Sequence, residues 1–281
     1  MKNNFLKTQE KMNTTYILAT GQQGACNLDL QNKVLKKESF DQLKKCELAT
    51  GMVVWDIGCG SGAVTESLAR VVGREGLVYA LDVNEDQLKI TKGRIDSAGF
   101  KNVQFIQGDI NNLSIHQYKK ADIVYSRFLL MHVHDCQKTI KKMADLLKKG
   151  GRLSLQESTM ESIKEESPHF ALSKYYDMII KYGKCKGFDY NVGRKLKQIC
   201  EKSDLFSKII FYKRNYKTTD DIKKLMIARL DELEDKFIGT NLIRKEDYEQ
   251  LKIDIKEFFK TKESNDSAVM CEQNYILAYK A

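Results

Sequence analysis

Between residues 51 and 157 the apolar positions follow two alternating rhythms. Short apolar runs fall near 52–56, 77–82, 103–107, 121–126 and 151–157. Longer stretches near 62–72, 85–98 and 135–148 separate them, with apolar residues at helical spacing. Short runs alternating with helical stretches predict βαβ units and a parallel sheet. Residues 13–50 read as an N-terminal helical segment, with Leu28, Leu30, Val34 and Leu35 on one face. Beyond the alternating region, 158–204 read as largely helical with breaks around Gly183 and Gly187, and Phe206–Tyr212 as a strand. Residues 218–262 are strongly helical, with Ile222, Leu225, Met226, Leu230, Leu233 and Phe237 at helical spacing, and Tyr275–Tyr279 reads as a last strand.

The strand ends carry the candidate chemistry. Residues 53–62 read VVWDIGCGSG, a short apolar run that reaches Asp56 and then Gly58, Gly60 and Gly62. A helical stretch, Ala63 to Val72, follows at once. Strand, glycine turn and helix in that order let a ligand approach the main chain and meet the unpaired N–H groups of a helix start. Such a turn suits a nucleotide-like cofactor at the carboxyl end of a parallel strand. The spacing is D-x-G-x-G-x-G, which is neither the usual dinucleotide fingerprint nor a P-loop with its lysine. The second strand ends on Asp82, where a carboxylate is placed to accept ribose hydroxyls. The third leads into Gly108-Asp109-Ile110, an acceptor for an adenine amino group beside an apolar cover for its ring.

These segments resemble the class I S-adenosylmethionine-dependent methyltransferases, in the UbiE-like and small-molecule group. The matching stretches are V53-V-W-D-I-G-C-G-S-G62, A80-L-D-V-N84, Q107-G-D-I110, D122-I-V-Y-S-R-F-L-L-M-H-V133 and L146-L-K-K-G-G-R-L-S-L155. They span about residues 14 to 157. Lys149 stands where the family usually has a proline. The resemblance implies a Rossmann-like, seven-stranded sheet with helices on both faces and an antiparallel strand at its edge formed by the chain terminus. It implies three regions: an N-terminal helical cap (1–50), a cofactor-binding core (51–157), and a helical lid with C-terminal strands that complete the sheet (158–281). As binders of S-adenosylmethionine it implies Asp56, Gly58, Gly60, Asp82, Val83, Gly108, Asp109, Ile110, Ser126 and Arg127. The leader Y16-I-L-A-T-G and L28-D-L-Q31 resembles one in which Tyr16 and Gln31 approach the methionine end of the cofactor. His132 holds a position that histidine often fills in related enzymes, and it is the candidate general base. Arg127 suits a carboxylate, of the cofactor or of an acidic acceptor.

Charge and cysteine content adjust this picture. The net charge is +9, and residues 181–217 hold eleven basic residues against three acids, interleaved with Phe188, Tyr190, Phe206, Phe211, Tyr212 and Tyr216. A basic segment with aromatics keeps RNA or protein as an alternative acceptor beside a small molecule. A non-catalytic cofactor-binding protein is the other alternative. The fourth strand end reads S126-R-F-L129, without the N/D-P-P-Y-type motif of enzymes that methylate nucleic-acid amino groups. Seven scattered cysteines without a C-x-x-C pair fit reduced thiols in a cytoplasmic protein, and no metal site is expected. Cys59, within the glycine turn, is expected to be a small packing residue. No apolar run reaches the roughly 18 residues that span a bilayer, and residues 1–15 lack the apolar centre of a secretory signal. A monomer or a homodimer fits equally well, and the atom that receives the methyl group is left open.

Overall fold

A computed structural model of the chain describes residues 21–163 and 169–281. Its centre is a seven-stranded sheet in the order β3-β2-β1-β4-β5-β7-β6. The strands are β1 (Val53–Ile57), β2 (Leu77–Asp82), β3 (Val103–Gln107), β4 (Ala121–Arg127), β5 (Leu147–Thr159), β6 (Phe206–Arg214) and β7 (Glu272–Lys280). The first five run parallel, and β7 pairs antiparallel with both β5 and β6. The helices are α1 (Gly21–Lys45), α2 (Ala63–Val72), α3 (Glu85–Ser97), α4 (Cys136–Leu146), α5 (Phe170–Cys185), α6 (Leu196–Glu201), α7 (Asp220–Gly239), α8 (Lys245–Lys260) and α9 (Glu263–Asp266).

The apolar runs of the central strands are explained by the two faces of the sheet, both of which are covered. Residues alternate sides, so Val54, Val78, Ile123 and Leu277 join Leu43 of α1 and Leu68 of α2 in one core. Trp55, Ile57, Tyr79, Leu81, Val124 and Leu153 point the other way, into a larger core shared with α4, α5, α7 and α8. The two cores clamp the sheet so that the carboxyl ends of β1, β2 and β4 lie side by side. In-register pairs Ile57↔Leu81 and Ile57↔Ser126 place the loops that follow these strands side by side.

Two expectations are corrected. The antiparallel terminal strand is not the sheet edge: β7 lies between β5 and β6, and six of its nine residues are buried in a continuous run. The edge is β6, whose Ser207, Lys208, Lys213 and Arg214 are exposed, a charged edge that discourages pairing with another chain. Of the breaks expected around Gly183 and Gly187, only the second falls where expected: α5 ends at Cys185 and Gly187 turns with φ of 77°, whereas Gly183 does not break the helix. It lies inside α5, where an added Cβ would stand 2.1 Å from Cδ2 of Tyr190, so glycine makes room for that ring.

Candidate functional site

One cavity of about 890 Å³ opens along the carboxyl ends of β1, β2, β3 and β4, and α1, α5 and α7 cover it. Its size lies within the range of small-molecule sites. The glycine turn forms one wall. Gly60 and Gly62 both have left-handed backbones, with φ of 54° and 77°. At Gly60 a Cβ would stand 3.1 Å from Leu28 of α1, and at Gly62 it would stand 2.5 Å from Thr91 of α3. Only glycine satisfies both the torsion and the close approach.

Asp82 holds this turn in shape. One carboxylate oxygen accepts from the Gly60 N–H at 2.9 Å and the other from the Asn84 N–H at 2.9 Å. The Gly58 and Cys59 amides donate to the Leu81 carbonyl, and Thr91 Oγ1 donates to the Gly60 carbonyl at 2.7 Å. Asp82 therefore has two tasks, a cavity-lining acceptor and a staple for the loop. Burial holds its carboxyl above the ordinary range, against the pull of the backbone amides that donate to it. Asp56 is 2% exposed and accepts from Thr65 Oγ1 at 2.6 Å. Burial, opposed by that hydrogen bond, pushes its carboxyl up to about 6. Cys59 packs with Ala80 and Leu88, and burial lifts its thiol well above the usual range.

The cavity brings together Gln31, Asp56, Gly58, Gly60, Asp82, Val83, Gly108, Asp109, Ile110, Arg127 and His132. Asp109 caps the short turn after β3 by accepting from the Asn111 N–H at 2.8 Å. Ile110 is 3% exposed beneath it, while Val83 is 47% exposed at the rim. Ser126 stands apart: it is fully buried, its hydroxyl donates to the Ile57 carbonyl at 2.8 Å, and it does not line the cavity. Strand alternation explains this, because Tyr125 and Arg127 on either side face the cavity and Ser126 faces β1. Tyr16 lies outside the described residues.

Two residues escape a reading by motif. Gln87 sits in the first turn of α3 and lines the cavity, 3% exposed, with neither side-chain amide atom bonded to protein. An orphaned amide beside Asp82 and Asp109 fits a ligand rich in donors and acceptors, such as an adenosine moiety. Its helical position was legible, but its inward orientation was not. Arg229 of α7 also lines the cavity, and it donates to Gln31 and pairs with Glu232. Nothing in its local sequence marks it.

At the far end the wall changes character. Tyr175, Tyr176 and Ile179 of α5, Leu225, Met226 and Leu233 of α7, and Phe188, Tyr190, Met131, Met160 and Met270 line it. His132 lies here, its Nδ1 3.2 Å from the Tyr190 hydroxyl and its ring edge-on to Phe188 and Tyr190. Burial, helped by the Arg229 and Lys236 cations, lowers its pKa to about 3. It is therefore a neutral imidazole at physiological pH and a weak proton acceptor. His134 stacks on Phe188 at 5.0 Å, His169 stacks on Phe258 at 3.9 Å, and His116 is exposed on a short helical turn (Ile115–Gln117).

Glu157, at the end of β5, is fully buried and shapes the same end of the cavity. Its Oε1 accepts from the Leu129 N–H at 2.9 Å and the Leu130 N–H at 2.6 Å. Those amides belong to the turn that follows Phe128, whose φ of 56° is unusual for an aromatic residue. The turn delivers Met131 and His132 to the cavity. Burial, opposed by these backbone donors, pushes the Glu157 carboxyl up to about 8.

The basic segment 181–217 does not present its aromatics to solvent. Phe188 and Tyr190 are 7% and 3% exposed, Tyr212 stacks on Tyr275, and Tyr216 shares a hydrogen bond with Tyr275. Arg194, Lys195, Lys197 and Lys213 have acidic partners. Phe188 and Tyr190 are core, and Phe206, Phe211, Tyr212 and Tyr216 are half-buried and packed against protein, so the segment offers no open stacking platform for bases. Among the described residues no helix is long and apolar enough to cross a membrane, and no cluster of acids, cysteines and histidines is arranged to hold a metal.

Comparison with known proteins agrees with this geometry. A family model described as a methyltransferase domain matches residues 48–216. A demethylmenaquinone methyltransferase from Lactococcus lactis is 27% identical over 152 residues, covering 52% of this chain and 60% of that one. A ubiquinone/menaquinone biosynthesis C-methyltransferase from Psychromonas ingrahamii is 26% identical over 229 residues, covering 79% of this chain and 85% of that one. Other curated relatives are matched over about half their length, from 43% to 54%. A putative methyltransferase structure from Bacillus halodurans shares the fold with a TM-score of 0.54 at 19% identity, covering 85% of this chain and 97% of that one. The glycine turn, the strand-end acids and the family match over 48–216 lead to one conclusion: the chain belongs to the class I S-adenosylmethionine-dependent methyltransferases.

Proposed function

We propose that the chain moves a methyl group from S-adenosylmethionine to a small acceptor with an apolar, aromatic body, akin to the quinone compounds that its relatives' names mention. One observation carries this reading. The cavity is continuous from the polar end of Gly60, Asp82 and Asp109 to the aromatic and methionine-lined end of Tyr175, Tyr176, Met226 and Met270. A donor and an acceptor seated in the two ends meet near Arg127, Leu129 and His132.

S-adenosylmethionine supplies an electrophilic methyl group on a positively charged sulfur. The chain's own residues bind, orient and exclude water. Asp82 accepts ribose hydroxyls, Gln87 and Asp109 meet the base, and Ile110 and Val83 cover its faces. Gln31 and Arg127 face the methionine end. Holding two reactants at near-attack distance accounts for roughly 7–11 kcal/mol of barrier lowering in favourable systems. Little else is asked of the side chains, in keeping with a neutral, weakly basic His132. Its hydrogen bond with Tyr190 makes it a positioning residue for the acceptor wall.

Calorimetric titration with S-adenosylmethionine, S-adenosylhomocysteine and NADH tests the donor. Binding of the first two in the micromolar range, with none of NADH, is the expected result. It would be followed by a screen of phenol- and quinol-type acceptors with labelled methyl groups. Binding of NADH alone would overturn the reading. A protein that binds the donor but labels no acceptor in the screen would point to a non-catalytic role.

A further inference from the structure

We infer that Arg229 is an oxyanion-binding residue of the acceptor chamber, and that the acceptor is held with a phenolate- or enolate-type oxygen against its guanidinium. This rests on the methyltransferase reading and deepens it by naming the acceptor's chemistry.

The argument begins with the spacing on α7. Arg229, Glu232 and Lys236 lie three and seven residues along one helix, so they share a face. Leu225, Met226 and Leu233 of the same helix line the cavity together with Arg229. The Arg229 side chain is only 11% exposed and that of Glu232 only 1%. A guanidinium in an apolar, aromatic chamber carries a desolvation cost that a well-packed apolar residue would avoid. Glu232 and Gln31 offset that cost from within the fold, and the cavity that Arg229 lines is the side from which a further partner reaches it. Glu232 and Gln31 take two of its nitrogens, and a guanidinium has five N–H donors, so it retains donors for a ligand.

The charges of the two ends are opposite. Asp56, Asp82 and Asp109 line the cofactor end. At the acceptor end Arg229 lines the cavity and, with Lys236, acts on His132 to lower its pKa, while the Glu157 carboxyl there is pushed up to about 8 by burial. An acceptor that enters ionised needs no base, and its proton has been left in solvent. The ionised oxygen, or the ring carbon conjugated to it, gives the electron pair for the new bond to the methyl carbon. The pair of the broken carbon–sulfur bond stays on sulfur, and the opposite charges cancel. If carbon is the site, its displaced proton leaves to solvent as the ring regains aromaticity. The other oxyanion at hand is the cofactor's own carboxylate. Arg127 is the better partner for it, since it stands on β4 beside Asn32 and Ser39 of α1, over the cofactor end.

The test uses the full chain saturated with S-adenosylhomocysteine and two probes of nearly equal size. They are 2-hydroxy-1,4-naphthoquinone, an anion at neutral pH, and its neutral 2-methoxy analogue. Wild type should bind the hydroxy probe at least about tenfold more tightly in calorimetric titration. Arg229→Met should bring that ratio close to one and leave S-adenosylhomocysteine affinity unchanged. Arg229→Lys should restore part of it, and Glu232→Gln should tighten the hydroxy probe by removing a competing negative charge. Equal binding of the two probes by wild type, a comparison that needs no variant, overturns the proposal. So does a ratio that survives in Arg229→Met. So does an Arg229→Met variant that loses S-adenosylhomocysteine but keeps 5′-methylthioadenosine, which lacks the carboxylate, because the guanidinium would then be holding the cofactor. A wild type that binds no S-adenosylhomocysteine overturns the underlying methyltransferase reading, and this proposal with it.

Discussion

Asp82 shows how one side chain can look simple in sequence and carry two tasks in the fold. A strand-end acid reads as a ribose acceptor, and removing it would then affect the ligand alone. Its bonds to the Gly60 and Asn84 amides mean that Asp82→Ala also frees the glycine turn. Loss of hydrogen bonds to a charged group costs roughly 1.5–3 kcal/mol, so S-adenosylhomocysteine affinity should fall by about ten- to a hundredfold. Asp82→Asn should fall less, because its carbonyl still accepts from an amide. Titration of both variants checks the order. Glu157 makes a second prediction through pH. Its carboxyl titrates at about 8 in the fold and near 4.5 unfolded. Between those values the folded state binds more protons than the unfolded one, so this group's contribution to stability falls as pH rises from about 4.5 to 8. The slope is at most about 1.4 kcal/mol per pH unit. Urea midpoints at pH 5.5 and 8 should therefore drop in wild type relative to Glu157→Gln, which lacks the titration. Parallel midpoints would refute the role given to this carboxyl.

At the scale of elements, α1 shows what periodicity conveys and what it leaves out. Leu35 was legible as an apolar position, and it is 1% exposed in the main core. The contacts that dock α1 over the cavity are polar and were not legible. Asp29 is bonded to Arg94 at 2.6 Å and to Ser61 at 3.0 Å, and Arg94 Nε donates to the Ser61 carbonyl at 2.9 Å. These residues are distant in sequence and meet only because α1 crosses the start of α2 and the last turn of α3. The Asp29 side chain is 45% exposed, so the pair contributes no more than about 1 kcal/mol to global stability. Asp29→Ala should leave the melting temperature nearly unchanged, yet it should raise the S-adenosylhomocysteine off-rate roughly fivefold by loosening the cover. Stopped-flow displacement measures this, and an unchanged off-rate would mean that α1 is not a cover. The strand β7 illustrates the same limit. Its apolar run announced a strand, but only pairing with β5 and β6 together decided that it lies inside the sheet.

For the whole molecule, the net charge of +9 invites a nucleic-acid reading that the fold weakens. Phe188 and Tyr190 are buried in the core, Phe206, Phe211 and Tyr216 are half-buried against it, and acids neutralise part of the segment. Any retention on RNA should therefore be non-specific and lost by about 0.2 M salt, as a filter-binding titration against salt would show. Sequence-selective binding at that salt would restore the alternative. The strand–turn–helix order, the glycine turn and the acids at three strand ends were legible because each depends on residues close together in the chain, where period and torsion leave a direct trace. Gln87, Arg229 and Glu157 were not legible, nor was the burial of Ser126. Their roles come from which residues of β5, α3 and α7 converge on one cavity and which way each side chain points. Desolvation raises the Glu157 carboxyl and, with the Arg229 and Lys236 cations, lowers the His132 imidazole, and these environments exist only once distant segments have closed around them.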